Sequence, residues 1–161
     1  MADGSFLVNT PDRDLIMSRV FEAPRALVWL AWTKPEHLVR WWGPNGFTTT
    51  IETFDLRVGG HWKFVMHGPD GTDYPNHSVF TEILAPERIV FEHGGGREGA
   101  PEVNFRMNWI FEALSETMTR LTIHQVFPSA EQRDLIANTY GAIEGGRQTL
   151  ERLAALLAEM A

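Results

Sequence analysis

The feature that most constrains the fold of this chain is a long amphipathic stripe near its C-terminal end. Apolar residues recur there at intervals of three and four, the spacing of one face of an α-helix; they are Leu135, Ile136, Tyr140, Ile143, Leu150, Leu153, Ala154 and Leu157. Ser129 followed by Gln132 is a capping-box pattern, so a helix is predicted from Ser129 to Ala158. It would be about 45 Å long, and a sheet is the surface wide enough to cover its stripe.

The middle of the chain supplies that sheet. Segments rich in β-branched and aromatic residues alternate with turn sequences, which is typical of an antiparallel meander; the predicted strands cover residues 13–21, 47–56, 61–67, 77–84, 88–93, 103–111 and 117–127. Pro24 and Pro35 are expected to begin two short helices after the first strand, because proline is tolerated in a first helical turn. The predicted fold class is α+β, a curved antiparallel sheet wrapped around the long C-terminal helix.

Composition limits the kinds of partner and site. The chain has 161 residues and 43% hydrophobic content, enough for one domain, predicted at residues 13–158 after a flexible segment 1–12. It has no cysteine, which excludes disulfides and thiolate metal sites. A net charge of -7 argues against nucleic acid, which is bound through clustered lysine and arginine. No segment has the apolar run of a membrane span or a signal peptide, so a cytoplasmic location without membrane insertion is expected.

The predicted strands carry an apolar face rich in aromatic and methionine side chains. Because strand side chains alternate, six residues are expected on the concave face: Trp62, Phe64, Met66, Phe91, Met107 and Trp109. A curved sheet and a straight helix cannot touch along their whole length, so part of this face is expected to line a cavity for a small apolar ligand. Trp41, Tyr140 and Ile143 complete the candidate ligand-binding set. For each of these residues taken alone, ordinary packing in the core is the alternative to contact with a ligand.

Two features near this face leave alternatives open. Gly141, Gly145 and Gly146 interrupt the predicted helix, where glycine costs about 1 kcal/mol relative to alanine. They either let the helix approach the sheet closely or leave room for a ligand. Trp41 and Trp42 could gate the cavity, and anchoring of the short helices on the sheet is the alternative for at least one of them.

The candidate acid–base groups are His93, Glu82 and Tyr140. His93 shares a strand face with Phe91 and could point inward, whereas Glu82 is expected to pair with Arg88 across a turn rather than to act as a base. Tyr140 could donate a hydrogen bond to a ligand oxygen. No catalytic motif accompanies these groups, and no histidine spacing typical of a zinc site is present, so the sequence predicts no metal and no cofactor and leans against an enzyme.

A family resemblance is carried by segments spread over the chain, namely residues 19–24, 28–33, 41–44, 55–60, 66–71, 80–83, 86–88 and 148–153. Together they resemble the activator of heat-shock protein 90 ATPase homologue family, over roughly residues 14–157. The resemblance implies the helix-grip fold of the START-like or Bet v 1-like (SRPBCC) superfamily. It also implies an internal cavity between sheet and helix, used in that superfamily for sterols, lipids, polyketides and plant hormones, and occasionally for catalysis by cyclases and hydratases.

Three functional hypotheses follow. The first is binding of a small hydrophobic molecule, such as a lipid, a polyketide or an aromatic compound, and the second is a cyclase-like or hydratase-like enzyme acting on an apolar substrate. The third is a stress-related, chaperone-interacting domain, which rests on the family name alone. Chaperone activators of the family carry an additional N-terminal domain, whereas about a dozen residues precede the first predicted strand here, so a chaperone partner is not expected. A homodimer is a further option for which the sequence marks no interface.

Overall fold

The computed structural model describes residues 6–95, 104–139 and 141–161. The chain begins with strands β1 (Leu7–Asn9) and β2 (Asp14–Phe21), followed by helices α1 (Arg25–Thr33) and α2 (Pro35–Trp41). The next six strands are β3 (Thr48–Phe54), β4 (His61–His67), β5 (Asp73–Leu84), β6 (Arg88–Gly95), β7 (Phe105–Ala113) and β8 (Thr119–Val126). The last elements are helix α3 (Ala130–Asp134), a π-helical turn (Leu135–Thr139) and helix α4 (Ala142–Met160).

The eight strands form one antiparallel sheet in the order β1-β2-β8-β7-β6-β5-β4-β3. Two bulges bend it: β3 has an extra residue between Ile51 and Thr53, and β5 has one between Phe80 and Glu82. A bulge increases the local twist and curves the strand. The sheet therefore curves around α4, and the helix-grip α+β fold predicted from the sequence is confirmed.

Tryptophan fills the core between the sheet and the helices. Trp32 of α1 is completely buried, because the apolar face of this short helix points into the sheet. Its ring centroid lies 5.4 Å from that of Trp62 on β4 and 5.7 Å from that of Trp109 on β7. Edge-to-face contacts of this kind are favoured by the aromatic quadrupole and add to the energy of burial. The two short helices thus pack firmly against one end of the sheet.

Two parts of the chain differ from the sequence-based expectation. Residues 1–12 were expected to form a flexible segment, but residues 7–9 form β1, which pairs with β2. The helix expected to run without interruption from Ser129 is instead divided: the π-helical turn ends at Thr139, and α4 begins after Gly141, where φ is +65°. A left-handed residue cannot continue a right-handed helix, which splits the apolar stripe in two. The predicted cap is present, since Ser129 Oγ accepts a 3.1 Å hydrogen bond from the backbone N–H of Gln132.

No helix within residues 6–95, 104–139 and 141–161 combines the length and the apolar character needed to cross a membrane.

A candidate ligand cavity between the sheet and helix α4

A partly open cavity of about 560 Å³ lies between the concave face of the sheet and the first turns of α4. Its size falls within the range of roughly 300 to 1,000 Å³ that is usual for small-molecule sites. The sheet supplies a mostly apolar wall, formed by Met17, Phe64, Met66, Phe91, Phe105, Met107, Trp109 and Ile123. Methionine side chains adapt to irregular shapes, so this wall suits an apolar ligand.

Two glycines of α4 explain how the helix and the cavity coexist. A Cβ on Gly146 would lie 2.8 Å from Sδ of Met17 on β2, so this glycine lets the helix approach the sheet closely. A Cβ on Gly145 would meet only Pro44, at 3.9 Å, which is an ordinary contact distance. Both readings of the helix glycines therefore apply, one at each position: close packing at Gly146 and free space at Gly145.

The loop between α2 and β3 closes one side of the cavity. Trp42 and Gly43 belong to its lining, and Gly43 adopts a φ of +111°, a conformation that favours glycine. Two side chains of α4 hold this loop in place. Arg152 donates a 2.7 Å hydrogen bond to the carbonyl oxygen of Gly43, and Gln148 Oε1 accepts one of 3.0 Å from the backbone N–H of Asn45.

Gln125 is the most buried polar side chain on the cavity wall. It is 7% exposed, and its Oε1 has no hydrogen-bond partner within the described part of the chain. Its position follows from strand alternation, because it continues the inward-facing row of Leu121 and Ile123 on β8 and pairs in register with Met107 on β7. An unpaired buried polar group costs about 1 to 3 kcal/mol, and this oxygen is closed off from the open part of the cavity.

His93 borders the same cavity from β6. Its ring centroid lies 4.7 Å from that of Phe105, and its register partner on β5 is Ser78, whose buried Oγ also lacks a partner among the described residues. Burial lowers the pKa of His93 to about 4. The imidazole is therefore neutral near neutral pH, where it offers one N–H donor and one nitrogen acceptor but no charge.

Glu144 is an ionised group at the α4 side of the cavity. Arg147 donates two hydrogen bonds to its carboxylate, of 2.9 and 2.6 Å, and Gln148 donates a third of 3.0 Å. The hydrogen bonds from Arg147 and Gln148 lower the pKa of Glu144 to about 2. The carboxylate is thus charged at neutral pH and already engaged by groups of its own helix.

Most of the predicted ligand-binding residues can now be placed. The cavity is bordered by Phe64, Met66, Phe91, Met107 and Trp109. Trp62 is fully buried behind Trp42, with 4.8 Å between ring centroids, and is a core residue. Ile143 is half-buried against the core and is not part of the cavity lining. Tyr140 lies outside the described residues.

The two adjacent tryptophans have different positions. Trp41 is completely buried, and its Nε1 donates a 3.0 Å hydrogen bond to the carbonyl oxygen of Ala31, which fixes α2 against α1. Trp42 lines the cavity, with its ring centroid 5.4 Å from that of Trp109. Trp41 therefore lies outside the cavity lining, because the helix directs it into the core and leaves its neighbour to face the cavity.

The candidate acid–base groups are not brought together. Glu82 is exposed and pairs with Arg88 at 3.5 Å, as expected from the turn between them, and it is not part of the cavity lining. His93 is the one candidate among the described residues that borders the cavity. The imidazole of His93 is neutral and has no carboxylate partner in the lining described here. It can therefore form a hydrogen bond with a ligand, and nothing in this lining equips it for proton transfer.

Several lining residues do not belong to the predicted ligand-binding set, chiefly Gln125 and Phe105, and Trp42 was considered only as a gate. Phe105 shares the predicted strand face of Met107 and could have been included on that ground. The sequence pattern also marks Gln125 as unusual, because it is the one polar residue in the inward-facing row Leu121, Ile123, Gln125 and Phe127. A polar residue in an otherwise apolar alternation indicates either an internal hydrogen bond or a site.

Comparison with known proteins supports the same architecture. A solution NMR structure of a protein from Arthrobacter aurescens is similar at 33% identity and a TM-score of 0.86, covering 96% of this chain and 91% of that chain. Protein Ms6760 from Mycobacterium smegmatis is 26% identical with a TM-score of 0.84, covering 98% of both chains. Protein NE0264 from Nitrosomonas europaea is 28% identical with a TM-score of 0.81, covering 93% and 97%. A search of curated proteins gives no match.

The family resemblance noted in the sequence is confirmed by a family model. The model described as "Activator of Hsp90 ATPase homolog 1-like protein" matches residues 22–158, from the start of α1 through most of α4. The match therefore includes α4 and every cavity-lining strand except β2, and this chain belongs to the Activator of Hsp90 ATPase homolog 1-like family.

Proposed function

We propose that this protein binds a small, mainly apolar molecule in the cavity between the sheet and α4. The observation that carries the proposal is a mostly apolar cavity of about 560 Å³ between the sheet and α4. Apolar volume favours uptake of an apolar body, and the few polar side chains of the lining fix its orientation. Hydrophobic ligands are common in the superfamily that the resemblance implies, and this adds support.

The glycines and methionines of the walls favour a binding site on energetic grounds. Glycine within a helix costs about 1 kcal/mol relative to alanine, and Gly145 recovers little of this through packing, since a Cβ there would have free space. Met66 and Met107 can adjust to ligands of different outline. A chain selected for stability alone would fill this volume, so the arrangement fits a binding site better than a packed core.

An enzymatic function has less support. Of the acid–base candidates, Glu82 is tied to Arg88 at the surface, and His93 has a pKa of about 4, which makes it a weak base. Binding without turnover therefore agrees best with the chemistry of the cavity wall.

The proposal is tested by filling the cavity from the helix side. Gly145→Leu places a branched side chain where a Cβ meets only Pro44, whereas Ala158→Leu adds the same side chain at an exposed position of the same helix. A panel of uncharged apolar probes, beginning with naphthalene derivatives, is titrated calorimetrically against each protein. We expect one site per chain, weakened about tenfold or more by Gly145→Leu and unchanged by Ala158→Leu.

Two results would contradict the proposed function. The first is an absence of binding across the whole panel by freshly purified, folded protein. The second is binding that Gly145→Leu leaves unchanged, which would place the ligand somewhere other than between the sheet and α4.

A further inference from the structure

Three side chains on the convex face of the sheet, away from the cavity, are joined by hydrogen bonds across neighbouring strands. Nδ1 of His67 lies 2.8 Å from Oδ1 of Asp73, and Nε2 of the same ring lies 2.8 Å from Oγ1 of Thr50. A carboxylate only accepts hydrogen bonds, so Nδ1 carries the proton and donates it to Asp73. In the neutral imidazole, Nε2 then accepts the hydrogen bond of the Thr50 hydroxyl.

This order of groups is the one that activates a hydroxyl nucleophile, because a base contacts the hydroxyl and a third group orients the base. We infer that Thr50, His67 and Asp73 form an acyl-transfer site. Thr50 is its nucleophile, His67 is its general base, and Asp73 positions the imidazole. The substrates are small activated esters, such as the esters of aromatic alcohols. This activity is separate from ligand binding in the cavity.

The sheet register explains why the three residues meet. His67 is the last residue of β4 and pairs with Asp73, the first residue of β5. Thr50 of β3 pairs with Val65, two residues before His67 on the other side of β4. Strand side chains alternate, so Thr50, Val65 and His67 share one face, and diagonal neighbours on it are within reach of a long side chain. The pairing of three strands, rather than a loop, therefore holds the hydrogen-bonded chain together.

An ester can reach these groups from solvent. Thr50 is exposed, and the side chains of His67 and Asp73 keep 37% and 63% of their accessible surface. Val65 and Pro75 continue the row of Thr50 across β4 and β5, and they form an apolar strip beside the hydroxyl. A small aromatic leaving group can lie on this strip. The site is open, so it suits esters with a good leaving group rather than stable amides.

The edge position of β3 supplies a donor for the ester carbonyl. β3 is the last strand of the sheet, so the N–H groups of alternate residues point away from β4. One such N–H belongs to Thr50 or to the residue next to it. A backbone N–H at this place can donate to the carbonyl oxygen as negative charge develops on it.

The reaction has two steps. In the first, Oγ1 of Thr50 bonds to the ester carbonyl carbon while Nε2 of His67 takes the hydroxyl proton, and the ester C–O bond breaks as that proton passes to the departing alcohol oxygen. In the second, water attacks the acyl carbon and gives a proton to His67. The bond to Oγ1 then breaks, Thr50 recovers the proton, and a carboxylic acid leaves. Asp73 stays ionised and stabilises the imidazolium that forms in each step.

The test uses p-nitrophenyl acetate with the full-length chain. Release of p-nitrophenolate gives the rate, and peptide mass spectrometry after an acid quench locates the acetyl group. We expect an acetyl group on Thr50, and a rate that falls about tenfold or more in Thr50→Val and in His67→Gln. Thr50→Ser should keep the activity. Thr53→Val is the matched control, because Thr53 is exposed on the same strand and pairs with Lys63; it should leave the rate unchanged.

Asp73 acts through His67, so its role is tested by rescue. Asp73→Asn should lower the rate about tenfold or more, because an amide can donate to Nδ1 and thereby favour the wrong tautomer of His67. Asp73→Glu restores a carboxylate and should recover most of the rate. Equal rates for the two variants would overturn the positioning role of Asp73.

Two further results would overturn the acyl-transfer site as a whole. The first is a rate that Thr50→Val leaves unchanged. The second is acetylation confined to imidazole or amine nitrogens, which would mean that surface histidines or lysines react by themselves. Neither result bears on the proposed ligand binding, because Thr50, His67 and Asp73 do not belong to the cavity lining.

Discussion

Arg152 of α4 donates a 2.7 Å hydrogen bond to the carbonyl oxygen of Gly43 and reaches the carbonyl oxygen of Pro44 at 3.2 Å. The guanidinium of Arg152 thereby joins two parts of the cavity wall. It holds the loop between α2 and β3, which closes one side of the cavity, against α4, which forms the opposite wall. Arg40 contributes a third carbonyl acceptor at 3.2 Å. Partial burial lowers the pKa of Arg152, and its several fixed donors match this set of acceptors.

Replacement of Arg152 by lysine should therefore loosen this loop. An ammonium group is a compact donor and cannot reach the three carbonyl oxygens together, so Arg152→Lys is expected to reduce the free energy of unfolding by about 1 to 2 kcal/mol in urea titrations. Arg147→Lys is the control, since Arg147 is exposed and its hydrogen bonds among the described residues go to Glu144 of the same helix; it should leave the midpoint unchanged. Equal effects of the two substitutions would contradict the role of Arg152.

The adjacent tryptophans should respond differently to the same substitution. Trp41→Phe removes a buried indole and its hydrogen bond to Ala31, so it should destabilise the protein by about 1 to 3 kcal/mol. Trp42→Phe alters the cavity wall, so it should cost less stability and should change the affinity for apolar probes. Denaturant titration measures the loss of stability in both variants, and calorimetry measures their affinity for the probes. A larger loss of stability for Trp42→Phe than for Trp41→Phe would refute these separate roles.

Alanine at two helix glycines should give effects of opposite sign. Gly145→Ala gains helix propensity without a clash and should stabilise the protein by up to about 1 kcal/mol, at the expense of cavity volume. Gly141→Ala should destabilise it by about 1 kcal/mol, because φ is +65° at this position. Thermal unfolding of both variants provides the measurement, and stabilisation by Gly141→Ala would show that the left-handed break is not maintained in solution.

The half-buried imidazole of His93 should make the protein less stable in acid. Its pKa is about 4 in the folded chain and about 6.5 in an unfolded chain, so the unfolded state binds the proton first as the pH falls. The free energy of unfolding should decrease between about pH 6.5 and pH 4, by up to about 3 kcal/mol from this residue. His93→Gln should flatten the curve over that interval in urea titrations. An unchanged pH dependence would show that His93 is solvated.

The order of strands and helices could be read from the sequence because alternation and proline positions are local signals. Trp62, Phe64 and Met66 face the concave side since strand side chains alternate, and Ser129 caps a helix because its hydroxyl reaches the N–H of Gln132. The break at Gly141 could not be read in the same way. The apolar spacing continues across it, and only the backbone conformation interrupts the helix.

The candidate site was predicted in part for a related reason. Periodicity shows which face of a strand is buried, so Phe91, Met107 and Trp109 could be placed on the concave face, where they border the cavity; their contact with a ligand stays a prediction. It does not show how far the helix stands from the sheet, which depends on the contact between Gly146 and Met17. It also does not distinguish the core from the cavity, so the sequence does not show that Trp42 borders the cavity while Trp41 is buried in the core.

The packing of the tryptophans gives the molecule an optical property. Five indoles form one connected group, Trp32, Trp41, Trp42, Trp62 and Trp109, with centroid distances of 4.8 to 5.9 Å between neighbours. Excitation of one indole transfers to the others at such separations, and their coupled transitions should give a strong near-ultraviolet circular dichroism signal. Because Trp42 and Trp109 border the cavity, a bound molecule would change the emission of the whole group. The protein thus carries its own fluorescent reporter of occupancy.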